Sequence, residues 1–428
     1  MTTYNFLGKL LRPKFEAMLR QMITSGRLEV ILPDGAMIAA GESAADPIRV
    51  CVNDWATLCR LTLNPDLALG EGFMDGQIVP ENRSIRDLLD LLTRNIGIHD
   101  PPGLSWMARL VFRVVKALWS HNDPARSKRN VAHHYDLDGR LYDLFLDADR
   151  QYSCAYFENP EDSLDLAQLA KKRHLAAKLA LRPGQRVLDI GSGWGGLALY
   201  LARIADVSVK GITLSEEQIR HARQRAEGQD RVAFDLTDYR ALDERFDRIV
   251  SVGMFEHVGL KSYGEFFSTL ARLLEPEGVA VLHYIGRATP PSQTNPWVLK
   301  YIFPGGYMPA LSEVLPVIER EGLIITDIEV LRLHYAETLR RWSLRFLANR
   351  DKAVALYDER FARMWEYYLA AAEMAFRHQG LVIHQIQLVR SQEVLPLTRG
   401  YIRAAEIRLQ QDEQAAGPGL PAELAPGT

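Results

Sequence analysis

A short apolar run, Arg186-Val-Leu-Asp-Ile190, breaks into Gly191-Ser-Gly-Trp-Gly-Gly196 and then resumes at helical spacing through Leu197, Leu201 and Ile204. That pattern predicts a buried strand passing through a tight glycine turn into the N-terminus of a helix. Further apolar runs of strand length lie at 207–212, 231–234, 246–252, 278–285 and 322–331. Helical periodicity fills most of the intervals, at 195–204, 215–227, 263–274 and 311–321. Strands alternating with helices predict an α/β, doubly wound core. A helix over 163–179, capped by Asp162 or Ser163, is expected before it. One long helical stretch is expected from Tyr335 to about Gly380, followed by a final strand at 382–389.

The first hundred residues carry a different pattern. Phe6, Leu7, Leu10, Leu11, Phe15, Met18, Leu19 and Met22 recur at helical spacing among Lys9, Arg12, Lys14 and Arg20, with a kink expected at Pro13. Such a helix either packs on its own domain or touches anionic lipid. Short runs at 28–32, 36–38 and 47–52, with a turn at Pro33-Asp-Gly35, read as antiparallel strands, and helical segments follow near 55–61, 66–74 and 84–95. This small α+β domain is taken as 1–103, with a role in binding or assembly. A linker helix, 104–130, alternates Trp106, Leu110, Val111, Val114 and Leu118 with Arg109, Arg113 and Lys116, a pattern shared by membrane-surface helices and plain connectors. The α/β domain is taken as 131–400 and the C-terminal tail as 401–428, its end from Gln410 disordered by composition.

Composition narrows the class. At 428 residues and 47% hydrophobic content, the chain has an ample core, and a net charge of −3 gives no nucleic-acid signature. The three cysteines, Cys51, Cys59 and Cys154, form neither a disulfide framework nor a metal cluster, which fits a reducing cytoplasm. No signal peptide or membrane-length apolar run is evident, so any membrane contact is expected to be peripheral.

The candidate chemistry sits at strand ends. Gly191, Gly193 and Gly196 formally satisfy a dinucleotide fingerprint. Asp189 before them suits a ligand with an ammonium, S-adenosylmethionine, instead of a pyrophosphate. The second strand ends in Thr213, with Ser215 as helix cap and Gln218 one turn on, groups that hydrogen-bond without adding charge. Asp238 is an acid suited to an adenine amino group. The fourth and fifth strands end in Glu256-His257 and His283, at the sheet edge where open α/β folds bind ligands. The aromatic, polar segment 130–157 reads as a lid or pocket wall.

These residues resemble the cyclopropane-fatty-acyl-phospholipid synthases and the related mycolic acid cyclopropane synthases. The likeness rests on His134-Tyr-Asp136, Tyr152-Ser-Cys-Ala-Tyr-Phe157, 187–196, Gly211-Ile-Thr-Leu-Ser215, 247–259, His283-Tyr-Ile-Gly286 and Phe303-Pro-Gly-Gly-Tyr307, and it covers about 125–400. It implies a Rossmann-like class I methyltransferase core behind a lipid-binding or assembly domain. The implied reaction moves the methyl of S-adenosylmethionine to a cis double bond of an unsaturated acyl chain in membrane phospholipid. The resulting carbocation loses a proton to bound bicarbonate and closes as a cyclopropane. By the same resemblance, Cys154, Glu256, His283, Ile285 through its backbone, and Tyr335 hold the bicarbonate, and Tyr307 is an aromatic suited to the cation. The donor contacts are Tyr135, Tyr152, Ser153, Asp189, Gly191, Gly193, Trp194, Thr213, Leu214, Gln218, Asp238 and Tyr239. The resemblance is compatible with a homodimer and implies a cytoplasmic enzyme at the inner face of the membrane.

One departure bears on mechanism. Ala372 stands where many members of the family carry a cysteine, so a thiol nucleophile in that helix is not required. Two other outcomes remain open at this level. The same cation gives a methyl-branched or methylene fatty acid after a hydride shift and loss of a different proton, and a decayed site would leave a non-catalytic lipid-binding protein.

Overall fold

Residues 3–98 and 137–415 are described by a computed structural model and fall into two units, each assembled from three chain segments. The first takes the described part of 1–112 together with 293–304 and 339–380; the second takes the described part of 113–292, with 305–338 and 381–415. The contiguous division expected from the pattern therefore differs from the folded units. The proposed linker helix 104–130, with Arg109, Arg113 and Lys116, lies outside the described residues.

In the first unit, β1 (Arg27–Ile31), β2 (Met37–Gly41), β3 (Ile48–Val52) and β4 (Ile78–Pro80) form one sheet in the order β2-β1-β3-β4. The expectation of antiparallel pairing fails between β1 and β3, which are parallel. Successive strands do reverse direction, but the chain leaving β2 crosses to the far side of β1, so β3 runs beside β1 in the same sense. Strand β4 was not apparent in the pattern. The helix Thr3–Met22 continues through Pro13, burying Phe15 and Leu19 and leaving Phe6 and Leu10 exposed. The helix Ile85–Ile96 starts at a reciprocal Ser84–Asp87 capping box.

The long helix expected after Tyr335 is three helices, His334–Ala348, Arg350–Leu356 and Glu359–His378. Asp358 causes the last break, because its extended backbone and carboxylate, which accepts from Phe361 N at 2.7 Å, start a new helix. Glu373, fully buried in that helix, accepts two bonds from the Arg86 guanidinium at 2.8 and 2.7 Å and one from Arg377 at 2.7 Å.

The second unit is built on β5 (Arg186–Ile190), β6 (Ser208–Thr213), β7 (Val232–Leu236), β8 (Phe246–Val252), β9 (Leu274–Arg287), β10 (Ile324–Leu331) and β11 (Leu381–Val389). Their order is β10-β11-β9-β8-β5-β6-β7, with β11 antiparallel to both of its neighbours and the remaining pairs parallel. This is the Rossmann-like class I arrangement. The chain runs outward from β5 to β7 and then returns to place β8 on the other side of β5. The crevice at the carboxyl ends of β5 and β8 is therefore the switch point at which such sheets bind ligands.

The helix Leu164–Leu179, capped by Ser163, is unusual in burying its charges as well as its apolar residues. Two of these charges meet carboxylates on both sides: Arg173 pairs with Glu413 at 2.8 Å and Glu158 at 2.9 Å, and His174 lies between Glu406 at 2.6 Å and Glu329 at 2.8 Å. Glu406 and Glu413 belong to the helix Gly400–Ala415, so residues 410–415 are ordered and not part of a disordered tail. The reason is electrostatic and local: Glu413 also accepts from Tyr200 Oη at 2.6 Å. Replacing Glu413 with alanine leaves the buried Arg173 guanidinium with Glu158 alone and Tyr200 Oη without its acceptor, and is expected to cost about 2 kcal/mol, read as a lowered melting temperature. An unchanged melting temperature would show that this helix contributes nothing to stability.

Candidate active site

Strand β5 ends at Ile190, and the chain turns through Gly191, Gly193 and Gly195 with φ of 82°, 54° and 84° before the helix Gly196–Ala205. These are left-handed values that side-chain-bearing residues adopt only at a cost. At Gly191 a Cβ would also stand 2.9 Å from Met254 Cβ, so the backbone approaches the cleft where no side chain fits. The N–H groups of Gly191 and Ser192 both donate to Ile212 O at 2.9 Å, fixing the turn to the end of β6.

A cleft opens around this turn. One wall is Arg150–Ser153; the others are the turn itself, the β6 end with Gln218, the segment Thr237–Arg240, and Val252–Met254 with His257 and Val258. Tyr152, Ser153, Asp189, Gly191, Gly193, Trp194, Thr213, Leu214, Gln218, Asp238 and Tyr239 all line it. Tyr135 lies outside the described residues. Asp189 is buried with Oδ2 unpartnered, and burial pushes its carboxyl up to about 7 against the opposing charge of Lys171. Thr213 Oγ1 donates to Gln218 Oε1 at 2.9 Å and accepts from Ser215 N at 3.2 Å, so three polar residues form one hydrogen-bonded set at the end of β6. Asp238 is bound by Arg240, with Nε–Oδ1 at 2.9 Å and Nη2–Oδ2 at 2.6 Å. The acid expected for an adenine amino group is thus presented as a fixed ion pair with lone pairs to spare. The Trp194 ring packs edge-on to Tyr142 at 5.5 Å, and the Arg150 guanidinium lies 4.9 Å from its centroid.

Beside the cleft, β8 runs into the single helical turn Phe255–His257, which presents Glu256. Its Oε1 accepts from Ile285 N on β9 at 2.6 Å, while Oε2 is buried with no partner. Burial pushes the Glu256 carboxyl up to about 7. The Ile285 N–H, expected to face an anion, is therefore used to orient Glu256. Two residues earlier on β9, His283 is buried, and burial together with the charge of Lys171 holds its pKa well below the ordinary histidine value. Gln385 Nε2 lies 3.1 Å from His283 Nδ1. With the amide donating, the one proton of the neutral ring sits on Nε2, which has no partner. Among the described residues, Glu256 just beyond β8 holds an unfilled acceptor, and His283, inside β9 and level with the last residue of β8, holds an unfilled donor.

Cys154 and Tyr335 are placed by a different set of contacts. Cys154 directly follows the cleft wall, and burial pushes its thiol far above the ordinary range, which suits a neutral group and not a nucleophile. Tyr335 is buried in a helical turn whose His334 Nδ1 and Thr338 Oγ1 accept from Phe157 N and Ala155 N, both at 3.0 Å. Tyr307 donates its hydroxyl to Glu313, and its backbone N–H donates to Glu256 O at 3.0 Å. Four polar residues of the site were not singled out from the sequence: Lys171, Gln151, Arg240 and Gln385. Lys171 alone had a visible signal, a charged cluster in a helix whose polar and apolar residues do not separate onto two faces.

Residues 122–386 match the family model described as mycolic acid cyclopropane synthetase. The chain belongs to this family. It is a methyltransferase dependent on S-adenosylmethionine. It is 40% identical over 362 residues to the cyclopropane-fatty-acyl-phospholipid synthase of Escherichia coli strain K12, covering 84% of this chain and 91% of that one. It is 35% identical over 391 residues to a tuberculostearic acid methyltransferase of Mycobacterium tuberculosis, covering 87% and 90%. Among solved structures, a mycolic acid cyclopropane synthase in complex with SAH and CTAB superposes with a TM-score of 0.58 at 35% identity, over 61% of this chain and 97% of that one. No helix among the described residues is long and apolar enough to cross a membrane.

Proposed function

We propose that this family member methylates a cis double bond in an unsaturated acyl chain of membrane phospholipid and closes the product as a cyclopropane. The observation that carries the reading is the pair of buried groups without partners among the described residues, Glu256 Oε2 and His283 Nε2; Met254 and His257, on either side of Glu256 in the chain, line the donor cleft, and His283 pairs with the cleft residue Val252. The donor, S-adenosylmethionine, supplies an electrophilic methyl on a sulfonium. Asp189 receives its ammonium, Thr213 and Gln218 face its ribose, and Asp238 faces its adenine. An alkene is a weak nucleophile, so the chain's own residues contribute alignment and the exclusion of water.

Ring closure requires removal of a proton from the new methyl. Bicarbonate is the base we assign to this step: Glu256 Oε2 would accept from its hydroxyl and the His283 Nε2–H would donate to an anionic oxygen, with Tyr335 and Cys154 beside it. The raised pKa of the buried Cys154 thiol supports a base other than that thiol. We assign the reaction to the cytoplasmic face of the membrane.

The tuberculostearic relative favours one second reading, a methyl-branched product from the same cation. Lipids from cells expressing the protein separate the two by mass spectrometry and NMR. Ring protons are expected, and branched or methylene products without them would replace the cyclopropane reading.

A further inference from the structure

The polar groups of the two pockets meet at a residue that neither the donor contacts nor the anion contacts include. Lys171 is fully buried, on the helix Leu164–Leu179, beneath the segment that forms one wall of the cleft. Its Nζ donates to Gln151 Oε1 at 2.6 Å and to Ser153 Oγ at 2.8 Å. One turn earlier on the same face, Gln168 Nε2 donates to the carbonyls of Ser153 at 2.9 Å and Gln151 at 3.3 Å. Four bonds from one helix therefore hold the three-residue wall Gln151–Ser153, and the next residue in the chain is Cys154.

A buried ammonium is costly unless its surroundings use it. The charged and titratable groups facing Lys171 are Asp147, Asp149, Lys172, Cys154, Asp189 and His283. Asp149 is taken by Lys172 at 2.6 Å and by Arg225, and Asp147 accepts from the backbone N–H of Gln151 at 2.8 Å. Asp189, by contrast, keeps Oδ2 unpartnered, and Lys171 is the cation acting on it. The same charge opposes a second positive charge on His283.

We infer that Lys171 is a positioning residue for the donor cleft: its ammonium clamps the Gln151–Ser153 wall and is the buried cation beneath the unpartnered Asp189 carboxyl. The inference rests on the donor site proposed above and deepens it. Removing the ammonium loosens the wall and also makes the Asp189 carboxylate harder to form. Affinity for a ligand bearing an ammonium is then lost, and the acidic limit of binding moves to higher pH.

The test is calorimetric titration of SAH into the full-length protein across a pH series, with wild type, Lys171→Met and Lys171→Arg. Wild-type binding is expected to weaken as pH falls through about 7, where Asp189 takes up its proton. In Lys171→Met, affinity at neutral pH should fall about tenfold, and the midpoint should move up by about one pH unit. Lys171→Arg should restore the midpoint while affinity stays reduced. A uniform loss at every pH, with no movement of the midpoint, would overturn the electrostatic part and leave Lys171 a packing residue. If the Met variant does not fold, Ser153→Ala keeps the ammonium and removes one partner. It should weaken SAH binding about threefold with the midpoint unchanged, and unchanged affinity would overturn the clamp. A wild type that binds no SAH at any pH would overturn the donor site itself, and this inference with it.

Discussion

Glu256→Gln is expected to lower kcat by about 1,000-fold while leaving SAH affinity nearly unchanged. The substitution keeps the shape and one carbonyl oxygen for the Ile285 N–H, so the β8–β9 contact at 2.6 Å survives in weakened form. What it removes is the second acceptor. Oε2 has no partner within the described residues, and an amide nitrogen placed there turns an acceptor into a donor. Steady-state kinetics with SAH titration separates the two effects. Retained turnover would remove Glu256 from the chemistry, whereas lost SAH binding would make its role structural. In the wild type the working form is the carboxylate. Because burial raises that carboxyl to about 7, kcat should rise with pH through this value and level off above it.

Asp189→Asn should act on the other half of the site. A buried carboxylate that meets an ammonium contributes strongly to binding, and its loss is expected to weaken SAH affinity by about 100-fold. The asparagine does not titrate, so the acidic limb of binding near pH 7 should disappear in this variant. Calorimetry at two pH values suffices. An unchanged affinity would place the donor's amino group elsewhere, and a persistent acidic limb would assign that titration to another residue.

Much of the donor half was legible because its physics is local. A glycine turn between a buried strand and a helix has few structural meanings, and Thr213, Ser215 and Gln218 follow one another along a single strand end and helix start. Glu256 and His283 were visible as ionisable groups terminating apolar strands. What sequence pattern does not carry is pairing between distant segments. Gln385 reaches His283 only because β11 inserts antiparallel beside β9, and its residues could not be assigned a partner beforehand. Lys171 looked like one charge among several on a surface helix. It is buried because the helix Gly400–Ala415, read from composition as part of a tail, and the lid segment supply counter-ions and acceptors for that whole charged face. The parallel β1–β3 pair has the same origin: strand direction alternates as the pattern predicts, but adjacency is set by which edge the chain returns to.

On the reading proposed above, Glu256 and His283 direct the carbocation formed on a methylated acyl chain to ring closure. The most direct test is the purified protein with S-adenosylmethionine, bicarbonate and vesicles of cis-unsaturated phospholipid, followed by mass spectrometry and two-dimensional NMR of the recovered acyl chains. The account predicts chains heavier by one CH2 with upfield ring protons, formed by the wild type and absent with Glu256→Gln. Chains of the same added mass carrying vinylidene protons or a branched methyl and no ring protons would contradict it.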